Sequence, residues 1–137
     1  MVNGEEKGET VEVKKAYFHE LYKNKTGKEA SRYDFGVLEL EKGLERSYGY
    51  LGIDTRMENI KLQEKIEMYG YPSNKKNRLC FGEGGCKGFN DDLILYSIPT
   101  RGGQSGGPII RREGDKEYVI GVHIAGEEKL LMNGLET

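Results

Sequence analysis

One serine lies in a glycine-rich run that could carry out acyl transfer. Residues 100–110 read TRGGQSGGPII, so Ser105 has glycines on both sides within two positions. Glycine lets a backbone adopt positive φ, and successive N–H groups in such a loop can converge on developing negative charge. A hydroxyl held beside such donors suits nucleophilic catalysis. The alternative is a turn between two strands in which Ser105 is an ordinary turn residue.

Four segments, in order along the chain, resemble the chymotrypsin-fold serine proteases. Residues 103–108 (GQSGGP) resemble the nucleophile loop, and residues 118–126 (YVIGVHIAG) resemble the strand that carries substrate past it. Upstream, residues 33–40 (YDFGVLEL) resemble the segment with the catalytic aspartate. Residues 69–72 (YGYP) resemble a strand end of the glutamyl endopeptidase branch. Four ordered matches are more specific than any one of them.

The resemblance implies a set of site residues and a substrate class. Ser105 would be the nucleophile, and Asp34 would orient a histidine. The backbone N–H groups of Gly103 and Ser105 would form the oxyanion hole, where one donor is worth about 3 kcal/mol. The strand that would pair with the substrate backbone comprises Ile124, Ala125 and Gly126. We therefore expect a peptide or protein substrate, with no metal and no cofactor.

Neither of the two histidines resembles the catalytic histidine of the family. A triad needs an imidazole of near-neutral pKa to take the serine proton. His19 lies only fifteen positions before Asp34 and lacks the preceding run of small residues, whereas His123 follows Ser105 and aligns with a pocket residue. We therefore expect this chain alone to be inactive, with the histidine supplied by an N-terminal barrel segment that is missing from it.

The residues before the serine, together with one histidine, predict the preferred substrate side chain. Trypsin-type members select Lys or Arg with an aspartate six residues before the serine, and Pro99 stands there. Glutamyl endopeptidases bind an acidic side chain with a threonine and a downstream histidine, and Thr100 and His123 match those positions. Both can donate hydrogen bonds to a carboxylate. The resemblance thus implies Glu or Asp before the scissile bond, while the alternative for His123 is a satisfied core histidine.

Many short strands separated by turn signals indicate an all-β sandwich or barrel. Residues 60–70 alternate with period two apart from an interruption at Glu64, which predicts a strand. A helix opened by a capping box at residues 55–58 is the competing interpretation. The other predicted elements are strands within 11–22, 35–40 (buried), 79–89 (bulged), 93–98, 108–111 and 117–124, a hairpin turn at 113–116, and polar or loop-like stretches at 23–32 and 43–52.

The resemblance also implies a division into two barrels, as in the chymotrypsin-like double β-barrel. Residues 1–52 would be the remnant of the N-terminal barrel, with the aspartate segment and the linker. Residues 53–137 would be the C-terminal barrel with the serine loop. Residues 131–137 resemble the start of the last strand, without the C-terminal helix of the family. A truncated gene model, a gene fragment or a decayed relative would each account for that.

Composition argues against several other classes of protein. A net charge of −2 with mixed signs does not suit nucleic-acid binding, and no apolar run reaches membrane-spanning length. The N-terminus, MVNGEE, has no secretory signal, although members of the glutamyl branch are usually exported. Cys80 and Cys86 imply neither a disulfide scaffold nor a zinc site. We favour free thiols, because six residues of one strand would span about 20 Å.

Two other catalytic arrangements fit the sequence less well. Residues 103–107 match the G-x-S-x-G elbow of α/β-hydrolases, with Ser105, Asp115 and His123 in the correct order. That elbow must lead into a helix, whereas PIIRR after Gly107 has the pattern of a strand. The two cysteines lie away from the donor-rich loop, without neighbours that would stabilise a thiolate. The alternative to an enzyme is a non-catalytic, protease-like module that binds peptides.

Overall fold

The computed structural model describes residues 9–90 and 92–125. This part of the chain consists mainly of strands, and none of its helical segments is longer than five residues. The all-β fold class predicted from the sequence is therefore confirmed. The chain divides into two compact units, one within residues 7–51 and one from residue 52 onward. Their assignment to a first and a second barrel stays a prediction.

The unit within residues 7–51 is built on one antiparallel strand pair. Its elements are β1 (Val13–Phe18), a 3₁₀ turn (Glu20–Tyr22), helix α1 (Gly27–Ser31), β2 (Gly36–Leu40) and helix α2 (Glu45–Tyr48). β1 pairs with β2, with a register shift between Val13 and Lys15. β2 confirms the strand predicted over residues 35–40, but the first three residues of β2 are exposed rather than buried.

The two short helices correct the loops predicted over residues 23–32 and 43–52. α1 has the sequence GKEAS, in which Lys, Glu and Ala are strong helix formers. An ion pair between Lys25 and Glu29, 3.9 Å apart and one helical turn apart in sequence, supports it. The polar composition of residues 23–32 predicts a loop, whereas the helix propensity of Lys, Glu and Ala in α1 favours a short helix.

The second unit is a six-stranded sheet that curls into a half-barrel. Its strands are β3 (Gly52–Ile53), β4 (Lys65–Gly70), β5 (Cys80–Asn90), β6 (Leu93–Tyr96), β7 (Pro108–Glu113) and β8 (Lys116–Val122). Their order in the sheet is β3-β8-β7-β4-β5-β6, and only the β3–β8 pair is parallel. The sheet places β4 between β5 and β7, at the centre.

Most of the strands predicted for this unit are confirmed. β5 carries a register shift between Cys86 and Gly88, which is the predicted bulge. β7 and β8 form the predicted hairpin, in which Glu113 pairs with Lys116 and Gly114 has a φ of +65°. A positive φ at this position suits glycine and closes the tight connection.

The prediction for residues 60–70 was correct only from Lys65 onward. Before β4 the chain forms a 3₁₀ turn at Met57–Asn59 and then a tight turn in which Gln63 has a φ of +67°. The Gln63 N–H donates to the Cys86 carbonyl at 2.7 Å, and the Cys86 N–H donates to the Glu64 carbonyl at 2.9 Å. The turn thus pairs with the bulge of β5, a long-range contact that a period-two pattern does not reveal.

The core of the second unit packs against the middle of the sheet. Its fully buried side chains come from β4, β5, β7 and the segment after β6: Ile66, Met68, Cys86, Ile98 and Ile109. Ile66 and Met68 are two positions apart on β4, so they face the same side of the sheet. Burial of such side chains is the main driving force for folding.

A buried arginine holds three carboxylates together at one side of this unit. Arg111 is 8% exposed, and its Nε donates to Glu64 Oε2 at 2.5 Å. Its Nη1 lies 3.1 Å from Glu113 Oε2 and 3.7 Å from Asp54 Oδ2. Asp54 also accepts from the Arg56 Nε at 3.0 Å. Buried charges of this kind need such partners.

We expect the Asp54→Asn variant to lose less of its free energy of unfolding in acid than the wild-type protein does. Hydrogen bonds from the Arg56 side chain and backbone, with the charge of Arg111, lower the pKa of Asp54. Its folded pKa therefore lies below the unfolded value of about 3.9, so its stabilisation is complete above that pH and is lost as the pH falls through the folded pKa. Urea midpoints between pH 6 and pH 2 would measure this. Asp115→Asn, in the exposed hairpin turn, is the control, and an unchanged acid slope in D54N would contradict the prediction.

Candidate active site

Ser105 is exposed on a loop of two successive turns between β6 and β7. The Gln104 N–H donates to the Arg101 carbonyl at 3.3 Å, and the Gly107 N–H donates to the Gln104 carbonyl at 3.1 Å. Gly103 and Gly106 have φ angles of +95° and +90°. A residue with a Cβ is strained at such φ angles. Glycine at positions 103 and 106 therefore allows the backbone on either side of Ser105 to adopt this conformation.

The side chain of Gln104 folds back and fixes the first of these turns. Gln104 is 7% exposed, and its Oε1 accepts a hydrogen bond from the Arg101 N–H at 2.6 Å. Its carbonyl fixes the second turn through Gly107. One buried residue therefore holds the backbone on both sides of the serine, a role that the sequence analysis did not assign to it.

Two backbone N–H groups beside Ser105 are available to a ligand. Within residues 9–90 and 92–125, no acceptor takes a hydrogen bond from the N–H of Gly103 or from that of Ser105. Gln104, which lies between them, uses its own N–H in the turn. Free N–H groups next to an exposed hydroxyl are the donors that an oxyanion hole requires.

The loop is attached on both sides to segments that follow strands of the sheet, one after β4 and one after β8. The Ser73 N–H donates to the Gly102 carbonyl at 2.8 Å. On the other side, the Gly106 N–H donates to the His123 carbonyl at 2.8 Å, and the His123 N–H donates to the Gly107 carbonyl at 2.9 Å. These contacts hold His123 next to the serine loop.

A cleft of about 450 Å³ opens beside the loop. Ser105 and Gly103 contribute to its walls together with the apolar side chains of Tyr69, Tyr71 and Leu79. Its walls, as far as the described residues form them, include neither Thr100 nor His123. The nucleophile candidate thus borders an apolar recess that is separate from the residues predicted to bind an acidic side chain.

His123 is buried, with 3% of its surface exposed. Its Nδ1 is hydrogen-bonded to the hydroxyl of Tyr96, the last residue of β6. Burial lowers the pKa of His123 below its usual range and raises the pKa of Tyr96 to about 12. The ring nitrogen Nε2 has no hydrogen-bond partner among the described residues. A histidine that serves only as a satisfied core residue would have a hydrogen-bond partner at both ring nitrogens. His123 has one at Nδ1 and, among the described residues, none at Nε2.

A family model for the trypsin-like peptidase domain matches residues 2–122. The chain belongs to the trypsin-like peptidase family. This agrees with the serine loop and with the all-β fold, and it makes the chain a member of a serine protease family. No match to a curated protein was found.

The other pocket residues predicted for this trypsin-like peptidase domain lie close to the loop in sequence. Thr100 is half-buried and directly precedes the loop, without a hydrogen bond to His123 among the described residues. Ile124 and Ala125 are half-buried and follow β8, which ends at Val122. Gly126 lies outside the described residues. The predicted pairing of this segment with a substrate strand stays a prediction.

Asp34 is exposed and lies two residues before β2, in the first unit of the peptidase domain. No described residue forms a hydrogen bond or an ion pair with its carboxylate. The ring of His19 packs against the residues on either side of Asp34, with ring centroids 4.6 Å from Tyr33 and 5.8 Å from Phe35. His19 Nδ1 accepts the Leu21 N–H at 3.2 Å, so His19 caps a 3₁₀ turn instead of bonding to Asp34.

The structure also distinguishes between the serine loop and the other catalytic arrangements, the α/β-hydrolase elbow and a cysteine nucleophile. The serine loop leads into strand β7, so the α/β-hydrolase elbow is excluded, and Asp115 lies in the β7–β8 turn. Cys80 and Cys86 are free thiols on β5. Within residues 9–90 and 92–125, no three His, Cys, Asp or Glu side chains form a group that could hold a metal ion. No helix in that part of the chain has the length and apolar character needed to cross a membrane.

Proposed function

We propose that the chain carries the nucleophile of a glutamyl-type serine endopeptidase. The observation that carries this proposal is the exposed hydroxyl of Ser105 beside two N–H groups without an acceptor among the described residues. The positive φ angles of Gly103 and Gly106 shape the loop around them. Membership of the trypsin-like peptidase family supports the same chemistry.

The reaction would proceed through an acyl-enzyme. The Oγ of Ser105 attacks the scissile carbonyl carbon while a histidine takes its proton, and the N–H groups of Gly103 and Ser105 bind the oxyanion. The histidine then returns the proton to the leaving amine as the C–N bond breaks. Water, activated by the same base, hydrolyses the ester and restores Ser105. Asp34 would orient the histidine.

The general base of this mechanism would come from outside these 137 residues. His19 binds a backbone N–H through Nδ1, and His123 binds Tyr96 through Nδ1. Neither ring is hydrogen-bonded to Asp34 or to Ser105 within the described residues. A partner segment that brings the histidine would complete the triad, and the chain alone would be inactive as a protease.

The preference for Glu or Asp before the scissile bond would come from Thr100 and His123. His123 is hydrogen-bonded by its backbone to Gly106 and Gly107, so its backbone is attached to the loop that carries Ser105. Its Nε2 has no partner among the described residues, so it is available to a substrate carboxylate. Ile124, Ala125 and Gly126 would pair with the substrate backbone as an added strand.

We expect free imidazole to restore part of the reactivity of Ser105 towards a fluorophosphonate. In that reaction Oγ forms a bond to phosphorus, fluoride leaves, and imidazole takes the proton. A positioned base contributes about 10²–10⁴ in rate, and a base from solution recovers less, so we expect roughly tenfold faster labelling in imidazole. Labelling is followed by mass spectrometry, with Ser105→Ala as the null variant and Ser73→Ala as the control for a nearby exposed serine.

Two outcomes of this experiment would contradict the proposal. The first is equal labelling of the S105A variant, which would place the reactive group elsewhere. The second is the absence of any rescue in a sample that circular dichroism shows to be folded. That outcome would favour the non-catalytic, peptide-binding module.

Peptidyl phosphonates that end in Glu or Lys test the pocket proposed around Thr100 and His123 in the same assay. Faster reaction of the Lys probe than of the Glu probe would contradict the acidic preference.

A further inference from the structure

The cleft beside Ser105 lies on the side of the serine loop opposite to the predicted substrate strand. In the sheet, β7 lies between β8 and β4, and β7 begins at Pro108, directly after the loop. Residues 124–125 follow β8, whereas the cleft walls Tyr69 and Tyr71 come from the end of β4 and the segment after it. A polypeptide that lay along the segment after β8 and crossed the serine would therefore continue over the cleft.

The walls of the cleft suit one apolar side chain. Half of the Tyr71 surface is exposed, and Leu79 is half-buried on the other arm of the connection between β4 and β5. The rings of Tyr69 and Phe81, with centroids 5.3 Å apart, support the wall from the sheet. The volume of about 450 Å³ is within the range of about 300–1,000 Å³ that is typical of ligand sites. An aromatic or aliphatic side chain would be removed from water there.

The connection from Tyr71 to Leu79 carries positive charge at the rim of this cleft. We call residues 73–78 (SNKKNR) the basic loop. Both ends of the connection line the cleft, so no part of its backbone is farther than about 14 Å from the cleft wall. The cations of the basic loop are all exposed: Lys75, Lys76 and Arg78. Arg101, which is exposed in the serine loop, adds a fourth positive charge.

These four positive charges have no counter-charge in the described part of the chain. None of the ion pairs or side-chain hydrogen bonds there involves any of the four. The two segments that frame the cleft, residues 69–79 and 101–108, contain neither Asp nor Glu. Elsewhere in the same unit, Lys65 and Arg112 each form two ion pairs. The charge at the cleft is therefore available to a partner, in a chain whose net charge is −2.

Hydrogen bonds within the basic loop give its cations a defined backbone. The Lys75 N–H donates to the Pro72 carbonyl, and the Arg78 N–H donates to the Lys75 carbonyl, each at 3.0 Å. Lys76 has a φ of +36°, in a region that favours glycine or asparagine and that lysine rarely adopts. Since the backbone disfavours lysine at this position, the residue type is better explained by its exposed charge than by the shape of the loop.

We propose that the cleft and the basic loop together bind an extended acidic segment of a protein, in which one apolar side chain enters the cleft and the carboxylates that follow contact the basic loop. The carboxylates complement the four unpaired cations, and the apolar side chain complements the cleft walls. In the proposed function, this segment is the part of the substrate after the scissile bond. That placement rests on the proposed function, whereas the binding itself requires no catalysis.

Binding is measured by fluorescence anisotropy with the full chain and fluorescein-labelled peptides. The first peptide has one phenylalanine followed by three glutamates. The second has three lysines in place of the glutamates, and the third has alanine in place of the phenylalanine. We expect the first peptide to bind at least about tenfold more tightly than either of the others. Its affinity should fall roughly tenfold between about 50 mM and about 500 mM NaCl, because salt screens exposed charges.

A triple variant and a matched control test the contribution of the positive charges. We expect replacement of the three cations of the basic loop to weaken binding of the first peptide by roughly tenfold. The substitutions are Lys75→Gln, Lys76→Gln and Arg78→Gln. The control changes net charge equally at three exposed cations outside the cleft that also lack an ion pair among the described residues: Arg46→Gln, Lys61→Gln and Lys116→Gln. The control should bind like the wild type.

Tyr71→Ala tests the apolar part of the surface. It removes one wall of the cleft, so the affinities for the phenylalanine and alanine peptides should become equal within about threefold. Tyr50→Ala is the control, because Tyr50 is 86% exposed and belongs to the first unit. Tyr50→Ala should keep the wild-type preference for phenylalanine. An unchanged preference in Tyr71→Ala would contradict the role of the cleft.

Several results would overturn the inference. Equal affinity for the glutamate and lysine peptides, or undiminished affinity in the triple variant of the basic loop, would contradict an acidic partner. A single-stranded oligonucleotide that bound more tightly than the glutamate peptide would assign the cations to nucleic acid instead. If none of the peptides binds the folded chain, the inference fails whatever the labelling of Ser105 shows. If the glutamate peptide binds as expected but Ser105 is not labelled, the binding surface stands and the catalytic proposal fails.

Discussion

Alanine at Gly103 or Gly107 is expected to destabilise the protein by at least about 3 kcal/mol each. A Cβ at Gly107 would lie 2.3 Å from the carbonyl oxygen of Tyr69. A Cβ at Gly103 would lie 2.7 Å from the carbonyl oxygen of Tyr71. Both obstacles are backbone atoms, one in β4 and one directly after it, so neither can move aside without shifting the end of this central strand. Urea unfolding followed by circular dichroism measures the free energy.

The other glycines of the same loop provide matched controls for collision and for backbone strain. Gly106 has a φ of +90° and open space around it, so Gly106→Ala should cost about 1–2 kcal/mol from strain alone. Gly102 has neither a positive φ nor a neighbour closer than 3.9 Å, so Gly102→Ala should change stability by less than about 0.5 kcal/mol. Equal effects at Gly102 and Gly107 would show that the loop does not pack against β4 in this way.

Ile66→Ala is expected to destabilise the second unit by about 3–4 kcal/mol. Ile66 is fully buried on β4, between β5 and β7. Removing its outer carbons leaves a cavity that neighbouring strands cannot close, because both are hydrogen-bonded to β4. Since whole domains are stable by only about 5–15 kcal/mol, this change alone would unfold a substantial part of the population on mild heating.

Ile53→Ala is the matched control for this effect. Ile53 belongs to β3 in the same sheet and is 77% exposed. Its loss should cost less than about 1 kcal/mol, mostly from strand propensity. A comparable loss of stability in the two variants, read from thermal unfolding, would contradict the position of the core.

The sequence predicted the strands of the second unit best where local signals agree with tertiary pairing. β7 and β8 combine apolar runs with a glycine at the hairpin turn, so local chemistry is sufficient to predict them. The tight turn at Gln63 was missed because its hydrogen bonds go to Cys86, more than twenty residues away. The buried ion pairs of Arg111 were missed for a similar reason, since a charged residue in a strand normally predicts an exposed position.

The candidate site shows the same division between local and distant information. Ser105 and its glycines could be predicted because the loop is one continuous motif with a recognisable backbone requirement. The partner of His123 could not, because Tyr96 lies twenty-seven residues upstream in an ordinary apolar strand. The buried side chain of Gln104 is also invisible in the sequence, where a polar residue between glycines suggests solvent exposure.

The hydrogen bonds that attach the serine loop to the segments after β4 and β8 have a consequence for amide hydrogen exchange. The amides of Ser73, Gly106 and His123 bond across to or from this loop, so they should exchange slowly and together with the strand amides. The loop that carries Ser105 would then open only when the sheet itself opens.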